Sequence, residues 1–92
     1  MTNLSKQKMV TPKHILKNHY FTKGYKDKLN GFGFNPEYDS WNAHFQESYE
    51  RGRMYAAATN GLIPPKCGPG NKQVSYAAQL KLVELYREKA FI

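Results

Sequence analysis

A chain of 92 residues and 10.6 kDa holds one small core, which excludes paired domains and large multi-substrate active sites. With 40% hydrophobic and 23% charged residues it lies in the globular range, and no apolar run approaches the ~18 residues of a membrane span. Fourteen Lys and Arg against seven Asp and Glu give a net charge of +7, which points to a polyanionic partner.

In chain order, residues 1–10 read as a flexible basic lead-in and 11–92 as a single helical domain. The first predicted helix opens at Thr11-Pro12, a hydroxyl N-cap followed by proline in the first turn. It is expected to run unbroken to Leu29 and to stop at Asn30-Gly31, with Ile15, Leu16, Tyr20, Phe21, Tyr25 and Leu29 as its apolar side. Residues 30–38 form a loop of turn formers carrying aromatics. Asp39 or Ser40 is expected to cap a second helix from Trp41 to Thr59, ended by Asn60-Gly61. Its predicted inner stripe is Trp41, Phe45, Ser48, Gly52, Tyr55, Ala56 and Thr59. Ser48, Gly52 and Ala56 are small residues four apart, a device that lets another helix approach closely.

Residues 61–74 contain three prolines and three glycines and read as an ordered irregular connection, with a short extended piece around Leu62-Ile63. Ser75 caps a third helix, Tyr76 to Ala90, whose inward face is expected at Ala77, Leu80, Val83, Tyr86 and Ala90, widened by Leu82 and Leu85. The fold class that follows is mainly α: a small three-helix domain with irregular Gly/Pro-rich loops, in which a short β hairpin is also compatible with the pattern.

No constellation for catalysis stands out. His14 and His19 are five apart, about 140° around a helix, and cannot grip one metal together. Gly31-Phe32-Gly33 lacks the third glycine and the Gly-Lys-Ser/Thr of a phosphate loop and reads as a turn that places Phe32 and Phe34. Glu47 and Glu50 lie three apart on an exposed helix face. One cysteine, Cys67, makes neither an internal disulfide nor a thiolate cluster, and the polar start from Met1 to Lys8 has no apolar segment behind it. The expectation is a cytoplasmic protein, not an enzyme, with no cofactor and no metal.

Binding carries the stronger signal. Residues 1–30 hold Lys6, Lys8, Lys13, Lys17, Lys23, Lys26 and Lys28 against Asp27 alone, a net of +6, while the remaining positions carry only +1. On an unbroken first helix Lys13, Lys17, Tyr20, Gly24 and Lys28 would form one stripe able to follow a phosphate backbone, with Tyr20 as a stacking face. Arg51 and Arg53 would add bidentate contacts where exposed. Seven Tyr, five Phe and one Trp exceed what one small core needs, so some rings should be exposed. The candidate partner-binding set is therefore Lys13, Lys17, Tyr20, Lys23, Lys26, Lys28, Arg51 and Arg53.

The stretch Phe21-Thr22-Lys23-Gly24-Tyr25 through Gly31, then Asn35-Pro36-Glu37-Tyr38, then Phe45 and Ser48-Tyr49-Glu50-Arg51-Gly52-Arg53 resembles ribosome modulation factor and its phage-encoded relatives. That resemblance covers residues 20–58 and implies a short basic helical pair that binds ribosomal RNA. The chain differs in carrying Glu37 between Pro36 and Tyr38 and in its third segment after Gly61. In size, charge and lack of catalytic residues it also resembles phage-encoded anti-CRISPR inhibitors of type I-F surveillance complexes. This implies a phage protein in the host cytoplasm that lodges on Cas proteins and guide RNA and blocks target DNA hybridisation. That inhibitor is the favoured expectation, a ribosome- or RNA-binding regulator the alternative, and a protein-directed inhibitor a third.

Overall fold

The hydroxyl oxygen of Thr11 accepts from the His14 N–H at 3.2 Å and Pro12 occupies the first turn, so a helix begins where these two residues favour it. A computed structural model describes residues 11–66 and 73–87. The lead-in 1–10, Cys67 with the middle of the Gly/Pro-rich connection, and Ala90 lie outside the described residues. The described residues form four α-helices: α1 (Pro12–Lys17), α2 (His19–Leu29), α3 (Ala43–Thr59) and α4 (Tyr76–Arg87), with a 3-10 turn at Tyr38–Ser40.

The single helix expected over 11–29 is two. Asn18 takes an extended backbone (φ −62°, ψ 134°); its N–H donates to the Ile15 carbonyl at 3.2 Å and closes α1. Its Oδ1 accepts from the N–H groups of Tyr20 at 2.8 Å and Phe21 at 3.3 Å and opens α2. The short amide side chain offers the backbone an alternative to the helical ladder, and the chain turns there. α2 then ends as its sequence suggests. Gly31 sits at φ 77°, with Gly31 N–H on the Lys28 carbonyl and Phe32 N–H on that of Asp27, the paired bonds of a Schellman cap.

α3 starts later than expected. Asn42, not Asp39 or Ser40, supplies its cap, accepting from His44 N–H at 3.0 Å. Asp39 and Ser40 lie in the preceding 3-10 turn, where the Ser40 hydroxyl donates to the Glu37 carbonyl at 2.7 Å. Asn60 (φ 53°) and Gly61 (φ 76°) terminate α3 in the left-handed region. Beyond it, Lys66 and Val74 form an isolated antiparallel bridge, and Leu62-Ile63 bend instead of extending. Ser75 Oγ accepts from Ala78 N–H at 3.2 Å and caps α4.

α2 and α3 form the closest helix pair. Contacts advance in the same sense along both, from Tyr20 on Phe45 through Gly24 beside Tyr49 to Leu29 beside Gly61, so the two helices run the same way. Residues 30–42 return alongside them. The pair closes on glycine from both sides: a Cβ on Gly24 would strike the Tyr49 carbonyl, and one on Gly52 the Phe21 carbonyl. α1 packs on α4, and the core gathers Ile15, Leu16, Phe21, Tyr25, Tyr55, Ala56, Val74, Ala78, Leu82 and Leu85.

The expected inner face of α3 holds at Gly52, Tyr55, Ala56 and Thr59 and differs toward its N-terminal end, while that of α4 is rotated. On α3 two rings are fully buried, Tyr55 of the expected stripe and Tyr49 outside it, whereas Phe45 is 39% exposed and Trp41, just before the helix, is half-buried. Tyr49 is covered by Phe34, Tyr38 and Trp41 of the returning segment. On α4 the inward residues are Ala78, Leu82 and Leu85 at i, i+4 and i+7, which leaves Ala77, Leu80 and Val83 outside. Among the described residues no helix is long and apolar enough to cross a membrane.

Candidate nucleic-acid interface

Because Phe21, Gly24 and Tyr25 turn α2 toward α3 and the core, the opposite side of the helix holds His19, Lys23, Lys26 and Asn30 at i, i+4, i+7 and i+11. Together with Thr22 and Asp27 they line a depression of about 380 Å³. Lys13 and Lys17, four apart and exposed on α1, add two cations. Asp27 is the only acid on α1 and α2, and its carboxylate accepts from the Tyr49 hydroxyl at 2.5 Å. The bond ties that negative charge to the inner helix.

The single stripe expected from Lys13 to Lys28 does not form, because the break at Asn18 ends it and Gly24 is buried against α3. Tyr20 is no open platform either. Phe45 stacks on its ring at 4.4 Å with an interplanar angle of 17°, and Trp41 meets it edge-on at 4.9 Å. Lys28 shares the Gly24 side of α2 and reaches a second groove, separate from the Lys23–Lys26 face.

The two arginines have local partners. Arg51 pairs with Glu47 at 3.4 Å on α3. Arg53 spreads its guanidinium over the loop, donating to the Gly33 carbonyl at 3.1 Å and the Phe32 carbonyl at 3.0 Å while lying 4.7 Å from the Phe34 ring centre. It acts as the clamp of residues 32–34. Exposed aromatics, expected from composition, are found among the described residues at Phe32, Phe34, Phe45 and Tyr76.

The structure gives Tyr38, Tyr49 and Tyr55 each a different place. The fully buried Tyr49 hydroxyl donates to Asp27 and accepts from Asn35 N–H at 2.9 Å, and its ring is ringed by Phe34, Tyr38 and Trp41. Burial and the Asp27 carboxylate push its phenol above the ordinary value, partly opposed by Arg53 and the Asn35 N–H. Tyr38 donates to Glu50, and Tyr55 donates to the Ile63 carbonyl at 2.7 Å from within the core. Among the described residues no group of three or more His, Cys, Asp or Glu side chains is arranged to hold a metal ion.

The chemistry this arrangement offers is charge and stacking. The described ion pairs, Glu47–Arg51 and Lys81–Glu84, consume cations of α3 and α4. None of Lys13, Lys17, Lys23, Lys26 and Lys28 enters an ion pair among the described residues. No family of proteins, no curated protein and no solved structure matches the chain.

Proposed function

We propose that this protein works by binding RNA, through phosphate contacts from Lys23 and Lys26 on the outer face of α2 and from Lys13 and Lys17 on α1. One observation carries the reading: uncompensated positive charge is concentrated on α1 and α2, while Arg51, Arg53 and Lys81 are engaged within the fold. Ammonium groups that have no carboxylate partner keep their full attraction for a phosphate backbone. The residues that resemble ribosome modulation factor make up α2, the return loop and most of α3, one tightly packed helical pair, and this favours a structured cytoplasmic RNA such as that of the ribosome. A CRISPR ribonucleoprotein is the second target the same lysines would serve.

Fluorescence anisotropy on a labelled RNA hairpin, between 50 and 200 mM salt, tests the reading. Four phosphate contacts give a log–log slope of about −3, so affinity should drop by roughly fifty-fold or more over that range. The double variant Lys23→Glu, Lys26→Glu should fold normally, since both side chains reach solvent, and should flatten the slope by about 2. A wild-type affinity that ignores salt refutes phosphate binding. Co-purification from cells separates the two targets by whether ribosomal RNA or CRISPR guide RNA is recovered.

A further inference from the structure

The second groove, between the C-terminal end of α2, the return loop and α3, is lined by Lys28, Phe34, Glu50, Arg53, Met54 and Ala57 and encloses about 350 Å³. We infer that it receives a single unpaired nucleobase of the bound RNA, which stacks against Phe34 while its flanking phosphate meets Lys28. The inference rests on the RNA-binding reading and adds to it a site of different chemistry.

Three features select this occupant. Phe34 is 54% exposed yet held firmly: Tyr38 meets its ring edge-on at 4.9 Å, Tyr49 at 5.7 Å, and Arg53 lies 4.7 Å from its centre. A ring fixed by its neighbours and open to solvent binds a flat partner with little further loss of freedom. The lining also offers a flat apolar partner a wall: Phe34, Met54 and Ala57 are apolar and suit a neutral heteroaromatic ring, while of the two cations Arg53 is held by the Phe32 and Gly33 carbonyls and Lys28 is left to meet a phosphate at the edge. Finally, the volume lies at the small end of ligand sites, enough for one ring system and too small for a helix. Stacking of splayed bases on aromatic side chains is the common route by which proteins engage single-stranded or bulged RNA.

The test compares two labelled RNA hairpins that are identical except that one carries a single bulged 2-aminopurine in its stem. The wild-type protein should bind the bulged hairpin about tenfold more tightly and quench its 2-aminopurine fluorescence. Phe34→Ala should erase both the preference and the quenching while leaving affinity for the fully paired hairpin and its salt slope unchanged. Since Phe34 also contacts Arg53, Ala57→Trp provides a second variant; it fills the groove from an exposed helix position and should erase the preference in the same way. Lys23→Glu with Lys26→Glu should weaken both hairpins equally. Equal binding of the two hairpins by the wild type, or Phe34 and Ala57 variants that keep the preference, overturns the base site and leaves phosphate binding standing. Failure to bind either hairpin overturns both.

Discussion

Replacing Gly52 by alanine tests the feature that positions everything else. An isolated helix gains about 1 kcal/mol from this change, because alanine loses less backbone entropy than glycine. Here the added Cβ would sit 2.8 Å from the Phe21 carbonyl carbon and 3.0 Å from the Tyr25 nitrogen, with the Phe21 carbonyl oxygen closer still. Ordinary contacts of this kind lie at about 3.5–4.0 Å, so α2 and α3 must part by roughly 1 Å. The struck atoms are backbone and cannot rotate away, which puts the overpacking cost at the upper end of about 1–3 kcal/mol. Subtracting the propensity gain leaves a net loss of about 2 kcal/mol, and in a chain of this size that lowers Tm by roughly 8–16 °C. Thermal melting followed by circular dichroism at 222 nm (the usual helix band) measures it. Gly24→Ala should act alike, since its Cβ would lie 3.0 Å from the Tyr49 carbonyl carbon and 3.1 Å from the Arg53 nitrogen. Once one substitution has parted the helices, the second should cost much less than it does alone. A Gly52→Ala protein that melts at or above the wild-type temperature refutes the close crossing.

Other substitutions test the loop and the buried phenols. Arg53→Ala removes the donors to the Phe32 and Gly33 carbonyls and should cost about 1–2 kcal/mol in urea denaturation. Arg53→Lys should restore little, since an ammonium cannot span two carbonyls as a planar fork does. Tyr25, Tyr49, Tyr55 and Tyr86 all have phenols raised above 10.0 by burial. The folded state therefore holds protons that the unfolded state releases above pH 10, and stability should be level below that pH and decline as pH rises beyond it. Urea midpoints between pH 8 and 11 should show the decline, and Tyr55→Phe should reduce it, at the cost of the bond to Ile63.

Four helix ends were legible in the sequence because capping is a local transaction, whereas the start of α3 at Asn42 was not. Thr11, Ser75, Asn30-Gly31 and Asn60-Gly61 act on backbone groups within a few residues, and each does in the structure what its type favours. Gly52 was also legible, as a small residue among four-apart small residues. Asn18 was not, because an asparagine amid helix formers looks like any polar surface position until its Oδ1 takes two backbone N–H groups. The burial of Tyr49 in preference to Phe45 was out of reach for another reason. Both lie near one arc of α3, and it is the path of residues 34–41, which brings Phe34, Tyr38 and Trp41 over Tyr49, that decides between them. Arg53 depends on the path of residues 32–34, a long-range fact, so its role as a clamp could not be told from that of a free cation. The same holds for α4, where Leu80 and Leu82 are equivalent in type and tertiary packing buries Leu82 and leaves Leu80 exposed.

Charge and packing are coupled through Tyr49. Its hydroxyl holds Asp27, the single acid of α1 and α2, and its ring supports Phe34, so one buried side chain serves both the lysine face and the aromatic groove. The division has a thermodynamic consequence. If RNA is bound as proposed, contacts from four lysines weaken steeply with salt, whereas stacking of a base on Phe34 depends little on ionic strength. At low salt the lysines dominate and the protein should discriminate poorly between paired and bulged RNA in absolute terms, since both bind well. As salt rises the phosphate contribution shrinks equally for both, the ratio set by the groove persists, and only RNA offering an unpaired base stays bound. On this proposal selectivity would arise from a weak salt-resistant contact placed beside a strong salt-sensitive one, and would require the rigid α2–α3 pair that the two glycines allow.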